Sequence, residues 1–172
     1  MSSEQKAAGT VNIGIEAKPG QYLTFIINEQ GYGVSIGTVR EINRVVEITP
    51  VPQTPFYVAG VMNLRGRVIP VIDLRLKFGF EATPYTKQTC IIVIEGAQGE
   101  FGVIVDAVTG VVNFNVNQIE PTPTLGAEAR LGFIMGMAKT EENVVIIVNT
   151  VDVLEKNQMH SNDNKTSNST AA

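Results

Sequence analysis

Apolar residues in this chain come in short runs, each closed by glycine, proline, asparagine or an acidic residue. That spacing predicts an all-β fold with little helix. "QYLTFIIN" and "GYGVSI" flank the turn "EQG" and read as a hairpin, and "VVEIT" is a strand that ends at the proline-rich corner "PVPQTP". "RVIPVID" is a further strand, and because Pro70 has no N–H to donate, it is expected at an edge or a bulge. "CIIVIE", "EFGVIVD", "VVNFNV", "GFIMGMA" and "VVIIVN" follow in the same style, with short helical turns expected at "GTVREI", "PFYVAGV", "DLRLKF" and "NTVDVLEK". Residues 1–19 are small and polar, and the stretch from Glu155 onward has no Val, Ile, Leu or Phe. The expected organisation is a flexible segment over 1–19, a folded unit over 20–155 and a disordered polar tail over 156–172.

The pattern repeats itself. "YGVSIGTVREI" aligns with "FGVIVDAVTGV", so that Gly33, Val34, Ile36 and Val39 match Gly102, Val103, Val105 and Val108 at one constant interval. "GVMNLRGRVIPVID" against "GFIMGMAKTEENVVIIVNTVD" continues the echo. Two copies are too few for a solenoid and imply two related barrels.

Composition narrows the function. Hydrophobic residues make up 44% of the 172 and charged residues 17%, with a net charge of −4 and a pI near 5.0. Such a chain builds its own core and leaves apolar surface for a partner. Acidic charge and the absence of Trp weigh against a nucleic-acid binder, including the single-strand binding that small β-barrels often perform. The single cysteine, Cys90, excludes an internal disulfide and reads as a small apolar strand residue in a reducing compartment. With no secretory h-region and no apolar run long enough to span a bilayer, the expected location is cytoplasmic.

Catalytic groups are scarce. The only histidine, His160, lies in the polar tail, where nothing would hold the geometry of a Ser-His-Asp or Cys-His set. One Cys and one His cannot make a zinc site, and no phosphate-binding glycine motif is present; "GAQGEFG" reads as hairpin punctuation. Glu141 and Glu142 read as a solvated turn. No enzyme, no cofactor and no metal is the expectation, and a protein-binding role follows.

Two surfaces stand out. Residues 65–77 carry Arg65, Arg67, Arg75 and Lys77 against one acid, Asp73, in an otherwise acidic protein. Strand alternation puts Arg65 and Arg67 on one face. They either keep a strand edge soluble or hold a partner, and flanking Asn63 and Gly66 favour a fixed turn that aims Arg65 at carboxylates or carbonyls. In "GTVREINRVV", a helical turn over 37–42 would set Val39 and Glu41 either at the surface as an apolar and acidic pair or, for Val39, in the core.

"GYGVSIGTVREI", "PFYVAGVMNLRGRVIPVIDLRLKFG", "FGVIVDAVTGVV" and "VVIIVNTVDVL" together resemble the CheW family of chemotaxis coupling proteins over about residues 20–155. The resemblance implies two five-stranded, SH3-like β-barrel subdomains with pseudo-twofold symmetry. It also implies a non-catalytic adaptor joining the cytoplasmic signalling tip of methyl-accepting chemoreceptors to the regulatory domain of the histidine kinase CheA. Carried over residue by residue, the receptor-binding set is Val39, Glu41, Asn63, Leu64, Arg65 and Gly66. A kinase or ring contact falls on "QIEPTPTL", where Glu120 and Leu125 stand in place of the basic and aromatic residues of some relatives.

The kinase domain is itself CheW-like and is expected to pair barrel to barrel, through the second subdomain at one contact and the first at another. The protein is then a monomer when isolated and part of a ring within membrane-associated receptor arrays, without inserting in the membrane. No receiver or kinase extension accompanies the domain, which favours a standalone coupler. A coupler of a paralogous pathway, for surface motility or gene regulation, fits the same residues.

Overall fold

In the computed structural model, which describes residues 20–121 and 133–149, hairpins form where the sequence supplies turns. β1 (Gln21–Ile27) and β2 (Gln30–Ser35) meet around Asn28 and Glu29, both at positive φ. A short 3₁₀ turn, Ile36–Thr38, leads into β3 (Val39–Arg44), which leaves that sheet. β4 (Val58–Leu64) and β5 (Arg67–Asp73) form a second hairpin, followed by one helical turn, α1 (Leu74–Lys77). β6 (Cys90–Gly96) and β7 (Gly99–Val105) form a third, and β8 (Ala107–Asn113) then crosses back to pair with β1. β9 (Ile119–Glu120), β10 (Ile134–Lys139) and β11 (Val144–Val148) complete the described strands.

The strands form two sheets, ordered β3-β6-β7-β5-β4 (barrel one) and β8-β1-β2-β11-β10-β9 (barrel two). Each sheet curls on itself. The chain continuing from β3 returns at Thr49 to pair with Val61 of β4, and the chain continuing from β8 returns as β9 to pair with β10. With β8 and β9 counted as one interrupted strand, each barrel has five strands.

The two barrels exchange a strand, and they repeat each other in detail. β2 runs parallel to β11 with Gly33 opposite Ile147, and β7 runs parallel to β5 with Gly102 opposite Val71. The register slips between Val39 and Glu41 on β3 and, at the equivalent place, where Gly110 gives way to Val108 on β8. It slips again between Val58 and Gly60 on β4 and between Ile134 and Gly136 on β10. Gly60 and Gly136 are both needed for closeness: a Cβ would stand 2.1 Å from the Thr49 carbonyl oxygen at one and 2.7 Å from that of Glu120 at the other.

The core explains the unbroken apolar run of β6. Ile92 and Ile94 join a cluster shared between the barrels with Leu23, Phe25, Ile27, Val103 and Val105, while Ile91 and Val93 fill barrel one with Met62, Leu64, Val71 and Ile104. Both faces of the strand are dry, so polar alternation is lost. Each such aliphatic side chain contributes about 1.5–3 kcal/mol on burial.

Some local expectations are corrected. Pro70 lies in β5, an inner strand rather than an edge. It is tolerated because its partner Val61 turns both backbone bonds toward Thr49, and because the described pairing with β7 begins one residue later, at Val71. "PFYVAGV" is turn and strand, and the helical turn expected over 37–42 is a 3₁₀ turn that ends at Thr38, so Val39 and Glu41 stand on a strand. Among "DLRLKF", Leu74–Lys77 is helical, capped by the Asp73 carboxylate accepting from the Arg75 N–H at 3.0 Å. "NTVDVLEK" lies beyond the described residues apart from its first asparagine.

Candidate functional site at the hairpin of β4 and β5

The β4–β5 hairpin closes with two residues, Arg65 and Gly66, between the paired Leu64 and Arg67. Both have positive φ, 51 for Arg65 and 85 for Gly66, as the tightest right-twisted hairpins require. Asn63 braces the turn, its Oδ1 accepting from the Gly66 N–H at 2.8 Å. Leu64 anchors it by burying its side chain in barrel one. A Cβ at Gly66 would meet nothing within 4 Å, so backbone conformation rather than space selects glycine there. Arg65 has no such excuse: a left-handed non-glycine residue costs about 1–2 kcal/mol.

Its side chain supplies the compensation. The guanidinium reaches across the barrel to Glu41, with Nη2 2.5 Å from Oε2 and Nη1 3.3 Å from Oε1. Glu41 is aimed inward by the register slip on β3, which pushes Arg40 out to pair with Glu95 instead. The pair is asymmetric. Glu41 is 7% exposed at its side chain and Arg65 63%, so the carboxylate orients the arginine from beneath while Arg65 turns its remaining N–H donors to solvent. Across the hairpin from Asn63 stands Val68, 69% exposed. Arg67 pairs with Glu100 at 3.0 Å.

Of the six residues expected at the receptor surface, Glu41, Asn63, Leu64, Arg65 and Gly66 come together here. Asn63, Arg65 and Gly66 are exposed, and Leu64 and Glu41 support them from below. Val39 is 3% exposed and belongs to the shared core, the second of its two expected places. Glu120 lies on barrel two, exposed and paired with Lys139 at 2.7 Å, and Leu125 lies outside the described residues. Arg65 and Arg67 do not share a strand face, since Arg65 sits in the turn and the two engage different carboxylates. The basic stretch of 65–77 is also divided: Arg75 is buried on Asp73, and Lys77 lies 4.0 Å from the centre of the Tyr57 ring.

Sequence reasoning missed Val68 and the pairing of Arg65 with Glu41, which are 24 residues apart. The repeat held a signal: the position equivalent to Glu41 in barrel two is Gly110, and that equivalent to Arg65 is Glu141. Where barrel one carries ion pairs, barrel two has a cavity of about 350 Å³ lined by Thr24, Ile26, Thr109, Val112 and Val144. The arginine tip held by a buried carboxylate is therefore peculiar to one half of a duplicated fold. Among the described residues no group of three His, Cys, Asp or Glu is placed to hold a metal, and no helix is long and apolar enough to cross a membrane.

Comparison with known proteins places the fold in a family. Residues 21–158 match the CheW-like domain. The chemotaxis protein CheW of Klebsiella aerogenes is 32% identical, over 84% of this chain and 87% of that protein. The chemotaxis protein CheW of Helicobacter pylori is 36% identical, over 79% and 82%. The crystal structure of the scaffolding protein TtCheW from Thermoanaerobacter tengcongensis superposes with a TM-score of 0.74 and 37% identity, covering 80% of this chain and 94% of that one. With two strand-exchanged barrels, the same plan repeated in each and a match that spans nearly all the described residues, this chain belongs to the CheW-like family.

Proposed function

We propose that this protein is a non-catalytic adaptor of bacterial chemotaxis, joining the cytoplasmic signalling tip of methyl-accepting chemoreceptors to the regulatory domain of the histidine kinase CheA. The observation that carries the reading is the Arg65–Glu41 pair: a strained, braced turn holding an exposed guanidinium beside exposed Val68. That combination suits the side of a receptor helix bundle, with Arg65 donating to carboxylate or carbonyl oxygens and Val68 covering an aliphatic side chain. Glu120, on barrel two, and Leu125 of the same stretch of sequence are assigned to the kinase or ring contact. Each contact is small, and interfaces below about 1,200 Å² bind weakly alone. Assembly in rings at membrane receptor arrays raises effective concentration and makes them act together.

Affinity capture from cells tests the reading. Tagged wild-type protein should bring down a histidine kinase and a chemoreceptor, while Arg65→Glu should keep the kinase and lose the receptor. Capture of neither partner by the wild type would sink the proposal.

A further inference from the structure

The end of barrel one that carries the Arg65 tip is capped by charge. Along β6, Ile91 and Val93 fill the barrel and Glu95 follows on the same face. Counting back along β5, Val71 and Ile69 fill it and Arg67 follows; along β7, Ile104 and then Gly102 lead back to Glu100. Glu95 and Glu100 stand directly opposite each other, where like charges repel. Each is matched by an arginine from its outer neighbour strand, Arg40 of β3 on Glu95 and Arg67 of β5 on Glu100.

Barrel two closes without such a cap. With Gly33 and Ile147 as the counterparts of Gly102 and Val71, the places of Glu95, Glu100 and Arg67 fall on Ile26, Gly31 and Asn143. All three line the cavity of about 350 Å³. The same plan therefore folds with these positions uncharged, and folding alone does not account for the arginines of barrel one.

The pairs of the cap are held differently. Arg65 donates two hydrogen bonds to Glu41. In the Arg40 pair the glutamate is the more exposed partner. Arg67 is 58% exposed and lies 3.0 Å from Oε2 of Glu100, yet that oxygen is buried without a hydrogen-bond partner. Charge alone holds Arg67, so its guanidinium can turn to another carboxylate without breaking a hydrogen bond to Glu100. Gly66 separates it from Arg65, and its neighbour Val68 is exposed.

We infer that Arg67 is a second receptor contact, held over Glu100 in the free protein and turned to a carboxylate of the bound receptor tip beside Arg65. This rests on the receptor-binding role proposed for the Arg65 tip, and it gives the matching receptor face a pair of acidic side chains. Arg65 is then the fixed anchor and Arg67 the adjustable one.

The test is the affinity of purified full-length variants for a chemoreceptor cytoplasmic-tip fragment at several salt concentrations, with circular dichroism as the control for folding. Arg67→Ala should bind about fivefold more weakly and with a shallower salt dependence, as loss of a charged contact at an interface does. Arg67→Lys should stay within about twofold of wild type, because the charge is kept. Arg40→Ala should change neither affinity nor salt dependence. Wild-type affinity in Arg67→Ala, with binding lost in Arg65→Glu, would overturn this inference and leave the receptor reading standing. Undiminished binding in both variants would overturn the two together. An equal loss from Arg40→Ala would also overturn the inference, since the cap as a whole rather than Arg67 would then be responsible.

Discussion

The guanidinium of Arg65 covers the carboxylate of Glu41, the exposed partner held in aim by the buried one. The pair couples a hairpin tip to the strand that crosses between the barrels, so the stability of the tip and the receptor recognition proposed for it meet at one contact. Arg65→Ala leaves a buried carboxylate without its donor and is expected to cost about 1–3 kcal/mol, read as a lowered urea midpoint with unchanged m-value. Arg65→Gly loses the same pair but relaxes the left-handed backbone, so it should be more stable than Arg65→Ala by about 1 kcal/mol. Equal stabilities would show that the backbone at 65 is not strained.

Arg75 is the structural arginine. Its Nε and Nη2 donate to Asp73 at 3.0 and 2.8 Å, and Nη1 donates to both oxygens of Thr83, 3.6 Å from Asp106 on the crossing between β7 and β8. Asp73 holds the already basic guanidinium more firmly protonated by hydrogen bonding, outweighing the opposing effect of burial. Arg75→Ala strands the Asp73 charge in the interior and should cost about 3–5 kcal/mol by chemical denaturation. Arg75→Lys should recover little, because an ammonium cannot span Asp73 and Thr83 together. A lysine variant of wild-type stability would contradict this assignment.

Two equivalent glycines, Gly33 and Gly102, have little room for a side chain. At Gly102 a Cβ would stand 2.8 Å from Ile91 Cγ2, and at Gly33 3.0 Å from Ile147 Cδ1, the far end of a flexible chain. Gly102→Ala should therefore cost about 1–3 kcal/mol, the usual range for overpacking, and Gly33→Ala less. Thermal melts of the two variants decide the order.

Cys90 should be unreactive while the protein is folded. Burial pushes its thiol pKa up, and its Sγ donates to the Gln88 carbonyl at 3.1 Å. The thiolate is the reactive form, so alkylation by iodoacetamide near pH 8 should be slower in native than in urea-unfolded protein. Raising the pH through the ordinary thiol range should speed the unfolded protein first. Native alkylation as fast as unfolded would place Cys90 in a different environment.

The duplicated all-β plan was legible because its signals are local. Gly33 and Gly102, the Val-Ile runs and the "NLRG" turn are each read over a few residues. Pairings through space were not. Arg65 with Glu41 and Arg75 with Thr83 depend on which parts of the chain become neighbours, and a stretch of basic residues in the sequence separates into three unconnected ion pairs and a lysine over the Tyr57 ring. Val39 shows the same limit: its neighbours Arg40 and Glu41 suggest a surface, but the register slip on β3 turns it into the shared core. Pro70 was misplaced because its suitability depends on Thr49 taking both backbone bonds of Val61, a contact the local sequence does not reveal.

We propose the Arg65 tip as the receptor-binding surface. The most direct test is the affinity of purified wild-type and Arg65→Glu proteins for a chemoreceptor cytoplasmic-tip fragment, with matching circular dichroism spectra as the control for folding. The account predicts a loss of at least about tenfold in receptor affinity, corresponding to about 1.4 kcal/mol, with binding to the isolated kinase regulatory domain unchanged. Receptor affinity preserved in a folded Arg65→Glu variant would contradict it.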